Sequence, residues 1–134
     1  GAPGPSAGRS GTEPLVLLHG DVHTANAIVS PAAGVVLIDY DQGGLGRPGA
    51  DVAGLLAQLE TLHLCGRASA AEHAVHRRAV LEGYATVRPL PADLAWHEAA
   101  ALLAERALRA VNGVRVPVLA ALAALLDAAR GKLA

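Results

Sequence analysis

The apolar positions of this chain follow two rules that change over near residue 50. Before it they come as short runs: Leu15-Val16-Leu17-Leu18, Ala27-Ile28-Val29 and Val35-Val36-Leu37-Ile38. Runs of this length bounded by polar or turn residues predict strands. The turn-like Pro31-Ala32-Ala33-Gly34 separates the last two, which predicts a hairpin pairing residues 27–30 with 35–38 across four turn residues. The polar segment 19–26 precedes that hairpin as a loop, and a Gly/Pro-rich loop at 42–49 follows it.

From Ala50 onward the spacing becomes three and four. Val52, Leu55, Leu56, Leu59 and Leu62 predict a helix ending near Gly66. Ser69 predicts the N-cap of a second helix that runs to about Val87, before Pro89 and Pro91. Residues 92–111 carry Leu94, Leu102, Leu103, Ala107, Leu108 and Val111 near one stripe, and Asn112-Gly113 closes them. Residues 116–129 predict a last, very apolar helix. The expected fold class is therefore α+β, mainly α: a short β-hairpin followed by a helical bundle, spanning residues 15–134. Residues 1–14 lack periodicity and read as a flexible linker or a truncated edge.

Composition narrows the packing. Hydrophobic residues make up 52% of the 134 positions, yet Trp96, Tyr40 and Tyr84 are the only aromatics. Leu, Val and Ala must fill the core, which favours closely packed helices. Tyr40 and Trp96 are expected to pack. Glu60, Glu72, Glu82 and Glu105 are expected to be solvated.

The formal net charge of −1 comes without a cationic stripe, which argues against a nucleic-acid partner. No apolar run approaches membrane-spanning length, so no membrane partner is expected and a cytoplasmic location follows by default. The single cysteine, Cys65, rules out an internal disulfide and a Cys-rich zinc site.

Chemistry concentrates in residues 19–51. If residues 27–30 pair with 35–38, Asn26 and Asp39 oppose each other at the open end of the hairpin, with Cβ atoms roughly 4.5–5.5 Å apart. An amide oxygen and a carboxylate there make a hard-oxygen pair suited to Mg²⁺ on nucleotide phosphates. Asp21, five residues before Asn26, reaches the same edge and is placed to accept the proton of an attacking hydroxyl. His23 is placed to touch a phosphate or to position the loop. Gly20 permits torsions that a side chain would forbid.

These residues carry a resemblance. His19, Asp21 and Asn26 fit the kinase catalytic-loop pattern H-x-D-x-x-x-x-N. His19-Gly20-Asp21, His23 and Asn26 match the H-G-D-x-H-x-x-N form of the aminoglycoside phosphotransferase-like branch, and Ile38-Asp39 matches its later I-D pair. Gly46 to Asp51 matches its G-D-P-x-x-D segment in part, with Arg47 where an acid is usual. The chain thus resembles the C-terminal lobe of a protein-kinase-like fold.

The resemblance implies Asp21 as catalytic base and Asn26 and Asp39 as metal ligands that, with His23, contact the cofactors Mg²⁺ and ATP or another nucleoside triphosphate. It implies His19, His23 and Asp51 as catalytic-loop supports, although Asp51 is equally placed to cap the helix beside it. The activity implied is phosphoryl transfer to a hydroxyl of a small molecule. Acceptors of such relatives range over aminoglycosides, choline, homoserine, sugars and macrolides, and the scattered acids here single out no polycationic one.

The family's N-terminal nucleotide-binding lobe, with its lysine–glutamate pair, has no counterpart before His19, and the one lysine is Lys132. The expectation is an incomplete C-terminal fragment, inactive without that lobe. Two other classes compete: a catalytically silent binding or scaffold module, and a metallohydrolase using His19, Asp21 and His23 on one strand face.

Overall fold

The computed structural model describes residues 14–134. The expected linker, residues 1–14, lies outside the described residues apart from Pro14. Four short strands come first: β1 (Val16–Leu18), β2 (Ala27–Ser30), β3 (Gly34–Leu37) and β4 (Gly44–Gly46). A single 3-10 turn, Thr24–Asn26, leads into β2. The helices are α1 (Gly49–Leu64), α2 (Ala70–Ala85), α3 (Leu94–Ala101), α4 (Arg109–Asn112), α5 (Val116–Ala120) and α6 (Leu122–Gly131). A π-helical segment, Leu102–Leu108, joins α3 to α4. The α+β, mainly helical class is thereby established.

The hairpin differs from expectation by one residue. β2 pairs antiparallel with β3 so that Ala27 faces Leu37 and Ser30 faces Gly34. The turn has three residues, and Gly34 opens β3 with φ +71°. A left-handed residue closing a three-residue turn is a favoured hairpin geometry, and glycine adopts it without steric cost. The Ser30 hydroxyl oxygen accepts from the Ala32 and Ala33 N–H groups at 3.3 Å each, pinning the turn. Continuing the ladder, the Ile38 N–H donates to the Asn26 carbonyl at 2.9 Å. Asn26 is therefore opposed by Ile38, and the expected Asn26–Asp39 opposition is corrected: Asp39 lies one residue past the pair.

β1 pairs antiparallel with β4, Val16 opposite Gly46 and Leu18 opposite Gly44. The stretch read as a Gly/Pro-rich loop thus contains a strand. The last helix is also corrected, because it breaks at Ala121 into α5 and α6.

The core is a helical one. Leu56, Leu102 and Leu125 are its largest fully buried side chains, and Leu102 and Leu125 cluster with Ala57, Ala99, Ala101 and Ala129. Burying each leucine contributes about 1.5–3 kcal/mol. Alanines let the axes of α1, α3 and α6 approach closely. The contact is close at Gly49, where a Cβ would stand 2.8 Å from the His97 ring.

Helix α2 attaches differently, for it has no buried residue. Ser69 caps it with the reciprocal box expected of Ser-x-x-Glu: its hydroxyl accepts from the Glu72 N–H, while the Glu72 carboxylate accepts from the Ser69 N–H at 2.8 Å. Its tie to the body is polar. Arg77 donates two parallel bonds of 2.8 Å to Glu98, which is 3% exposed. Lys132 joins Glu98 at 3.0 Å and Glu60 at 3.7 Å, and Glu60 lies 3.3 Å from His73. The Tyr84 hydroxyl donates to the Pro48 carbonyl at 3.2 Å. Glu60, expected to be solvated, is instead a half-buried member of this network. Tyr40 and Trp96, expected to pack, are 56% and 59% exposed.

Burial opposes ionisation of Glu98, but the bonds from Arg77 and Lys132 outweigh it and hold its pKa below the ordinary 4.5. Its contribution to stability is therefore complete above pH 4.5 and is lost as pH falls through the lowered folded value. Burial pushes the His73 imidazole below its ordinary 6.5, so the unfolded chain binds that proton first and stability starts to fall below pH 6.5. Replacing Glu98 by Gln is expected to cost about 3 kcal/mol, the low end for a broken buried pair because Arg77 and Lys132 keep access to water. The same change should flatten the acid limb and speed hydrogen exchange across α2. Denaturant melts at several pH values and amide exchange check both; unchanged α2 protection would mean that the ion network does not hold this helix.

Candidate functional site

The loop between β1 and β2 is fixed by backbone and side-chain bonds at nearly every residue. Gly20 has φ +85°, and a Cβ there would collide with the Gln42 carbonyl, so the position requires glycine. On either side of this turn, the His19 and Gly20 N–H groups donate to the two oxygens of Asp51, at 2.7 and 2.9 Å. Asp51 lies in the first turn of α1, yet no side chain caps that helix. It braces the loop, and the capping alternative is set aside.

His19 is buried. Its Nε2 lies 2.8 Å from the Ile38 carbonyl, and the Asp21 N–H points to its Nδ1 at 3.4 Å. A carbonyl only accepts and an N–H only donates, so together they define the neutral Nε2–H tautomer. Tyr40 packs its ring on His19, with centroids 4.3 Å apart. Both ring nitrogens of His19 are thus used within the protein, which removes it as a metal ligand. Among the described residues no group of three His, Cys, Asp or Glu side chains could hold a metal ion. The His19–Asp21–His23 metallohydrolase reading loses its first ligand.

Asn26 is also buried. Its N–H donates to the His23 carbonyl at 2.9 Å, and its side-chain Nδ2 donates to the Asp21 carbonyl at 3.1 Å. The amide oxygen is the atom left for another partner. Asp21 keeps a 40% exposed side chain whose polar neighbour is His23 Nε2, 3.5 Å from Oδ2. Asp39 is exposed and has φ +66°, a left-handed backbone that aspartate tolerates better than most residues. Asp41 is exposed. The structure therefore brings His19, Asp21, His23, Asn26 and Asp51 into one bonded loop. Asp39 joins them through the Ile38–Asn26 ladder bond.

Two contributors escaped the sequence reading. Gln58 accepts from the Thr24 N–H at 3.0 Å and donates to the Thr24 hydroxyl at 3.2 Å, a second clamp from α1. Its signal was the seven-residue spacing from Asp51, two turns along the same helix face. Arg106, in the π-helical segment, donates to the Gly54 carbonyl at 3.2 Å and lies within electrostatic reach of Asp21. Burial pushes its pKa down, and nothing in the helical pattern of 92–111 announced it.

A sequence profile of the phosphotransferase enzyme family matches residues 3–90, which include every residue of this loop, its braces and Asp39. The chain belongs to this family. No curated protein and no solved structure matches. Within the family match, the H-G-D-x-H-x-x-N segment is tied by hydrogen bonds at His19, Gly20, Asp21, Thr24 and Asn26. Replacing Asp51 by Ala strands two backbone N–H groups and is expected to cost about 1–3 kcal/mol. The N–H resonances of His19 and Gly20 should lose protection first. Retention of both protected amides in that variant would show that another acceptor carries the brace.

Proposed function

We propose that this chain forms the catalytic-loop and acceptor side of a kinase-like phosphotransferase, the C-terminal lobe of a protein-kinase-like fold. It would move the terminal phosphoryl group of ATP or another nucleoside triphosphate to a hydroxyl of a small molecule. The observation carrying this reading is an accessible carboxylate on a rigid mount. Asp21 is open to solvent, while its own N–H and carbonyl and its neighbours His19, Gly20 and Asn26 are tied down.

Asp21 accepts the proton of the acceptor hydroxyl as the new O–P bond forms and the bond to the departing diphosphate breaks. His23 Nε2, 3.5 Å away, orients the carboxylate and would donate to a phosphate oxygen. The Asn26 amide oxygen and the Asp39 carboxylate fit Mg²⁺, which prefers hard oxygens and needs only one or two protein carboxylates. When bound there, the ion would neutralise charge on the nucleotide phosphates.

Lys132 is the single lysine, and it is engaged by Glu98 at 3.0 Å. A lysine for the nucleotide phosphates would therefore come from a nucleotide-binding lobe outside these residues. The same fact favours the second reading, a silent binding module, for these 134 residues alone. A cytoplasmic location accords with nucleotide use, and no helix among the described residues is long and apolar enough to cross a membrane.

In a protein carrying both lobes, Asp21→Asn should lower transfer by about 10²–10⁴-fold, the range of general base catalysis, with an unchanged melting temperature. Wild-type turnover would remove Asp21 from the chemistry. Calorimetric titration of Mg-ATP into the present chain should show no tight binding; tight, magnesium-dependent binding would contradict the need for a second lobe.

A further inference from the structure

Behind the catalytic loop lies a polar cavity of about 150 Å³, lined in part by Gln58, Thr61, Glu105, Arg106 and Arg115. Gln58 connects it to the loop, because the same side chain clamps Thr24 three residues from Asp21. Two guanidinium groups and one carboxylate face this small space, leaving one positive charge. Neither Arg106 nor Arg115 has an ion-pair partner within 4.0 Å among the described residues, whereas Arg77, Arg78 and Arg130 each do.

Arg106 is the more telling of the two. Its Nη2 reaches the Gly54 carbonyl, but its Nε is buried without a hydrogen-bond partner. A buried N–H left unpaired is costly, and a bound acceptor oxygen would recover that cost. It sits in the π-helical segment Leu102–Leu108, and such wide turns recur at functional sites. A planar guanidinium matches the geometry of a carboxylate or phosphate.

We infer that this cavity is an oxyanion subsite, selecting hydroxyl acceptors that carry a carboxylate or a phosphate and seating that group on Arg106 with Arg115 at its mouth. The inference deepens the phosphotransferase reading and rests on it for the word acceptor. The binding itself does not require transfer.

The test uses the 134-residue chain without nucleotide and four small probes built on one skeleton: glycerol, glycerate, glycerophosphate and aminopropanediol. Titration is followed by NMR on backbone amides and on the arginine Nε–H signals. One anionic probe at least should bind about ten-fold tighter than glycerol, about 1.4 kcal/mol, through a charge-assisted bond. It should shift the Arg106 Nε–H resonance. Preference for glycerate over glycerophosphate, or the reverse, tells which anion the subsite takes.

Arg106→Gln should abolish the preference and Arg106→Lys should keep part of it. Arg115→Ala, at an exposed side chain, should weaken it without affecting the fold. Equal binding of glycerol and the anions, tightest binding of aminopropanediol through Glu105, no saturable anion binding, or an undiminished preference in a folded Arg106→Gln chain would each overturn the inference. Asp21→Asn, which removes a negative charge within reach of Arg106, should keep or strengthen the anion preference. A chain that prefers anions while the two-lobed protein transfers nothing defeats the phosphotransferase reading alone. Transfer with no anion preference defeats the subsite alone.

Discussion

Both oxygens of Asp51 are spent on the N–H groups of His19 and Gly20, thirty-odd residues earlier in the chain. Those two amides flank a turn that only glycine can make, so they have no strand to bond with. Left unpaired in this half-buried loop, they would favour an alternative path for the whole segment. By accepting both, a side chain in the first turn of α1 fixes where β1 ends and where Asp21 begins. Gln58, two turns further along the same helix, fixes the next stretch at Thr24. The loop is thereby registered against a rigid helix rather than against the short strands around it. Helix α1 in turn packs through Ala53, Leu56 and Ala57 into the best-buried part of the molecule.

That dependence explains what was legible in the sequence. Helical stretches announced themselves through three- and four-residue spacing, and Ser69 marked the region where α2 starts, though its reciprocal box with Glu72 appears only in the structure. The bonded loop of residues 19–26 was legible as one unit because Gly20 and its polar neighbours have few other reasons to occur together. The hairpin register was not, since Pro31-Ala32-Ala33-Gly34 suits a three- or a four-residue turn equally well. Only the left-handed Gly34 and the Ser30 hydroxyl decide between them. A change of one residue moved the partner of Asn26 from Asp39 to Ile38. Strand β4 was hidden for a different reason: Gly44-Leu45-Gly46 has no strand propensity, and pairing with β1 alone makes it a strand.

Polar contacts over long sequence separations were the least legible of all. Glu98 carries the same letter as the exposed Glu82, yet it is the buried acceptor for Arg77 and Lys132. Nothing local distinguishes the two, because the difference lies in which helices meet there. The π-helical segment is hidden in the same way. Its sequence, Leu-Leu-Ala-Glu-Arg-Ala-Leu, is ordinary for an α-helix, and only the structure shows that the wider turn sets Glu105 and Arg106 against α1.

The distribution of cations follows from these constraints and bears on function. Lys132 and Arg77 are consumed by Glu98, which docks α2, and they have no freedom to serve a ligand without loosening that helix. Arg106 and Arg115 are free of ion pairs among the described residues and line the same small cavity as Gln58. Asp21, Asp39 and Asp41 present accessible carboxylates on the 19–26 loop or just past the hairpin. The Gln58–Thr24 clamp thus ties the loop that carries Asp21 to a cavity whose two guanidinium groups have no ion pair. Under the phosphotransferase reading, the carboxylates suit a metal-bound nucleotide. The arginine-lined cavity suits an acceptor held through an oxyanion, with Asp21 within electrostatic reach of Arg106.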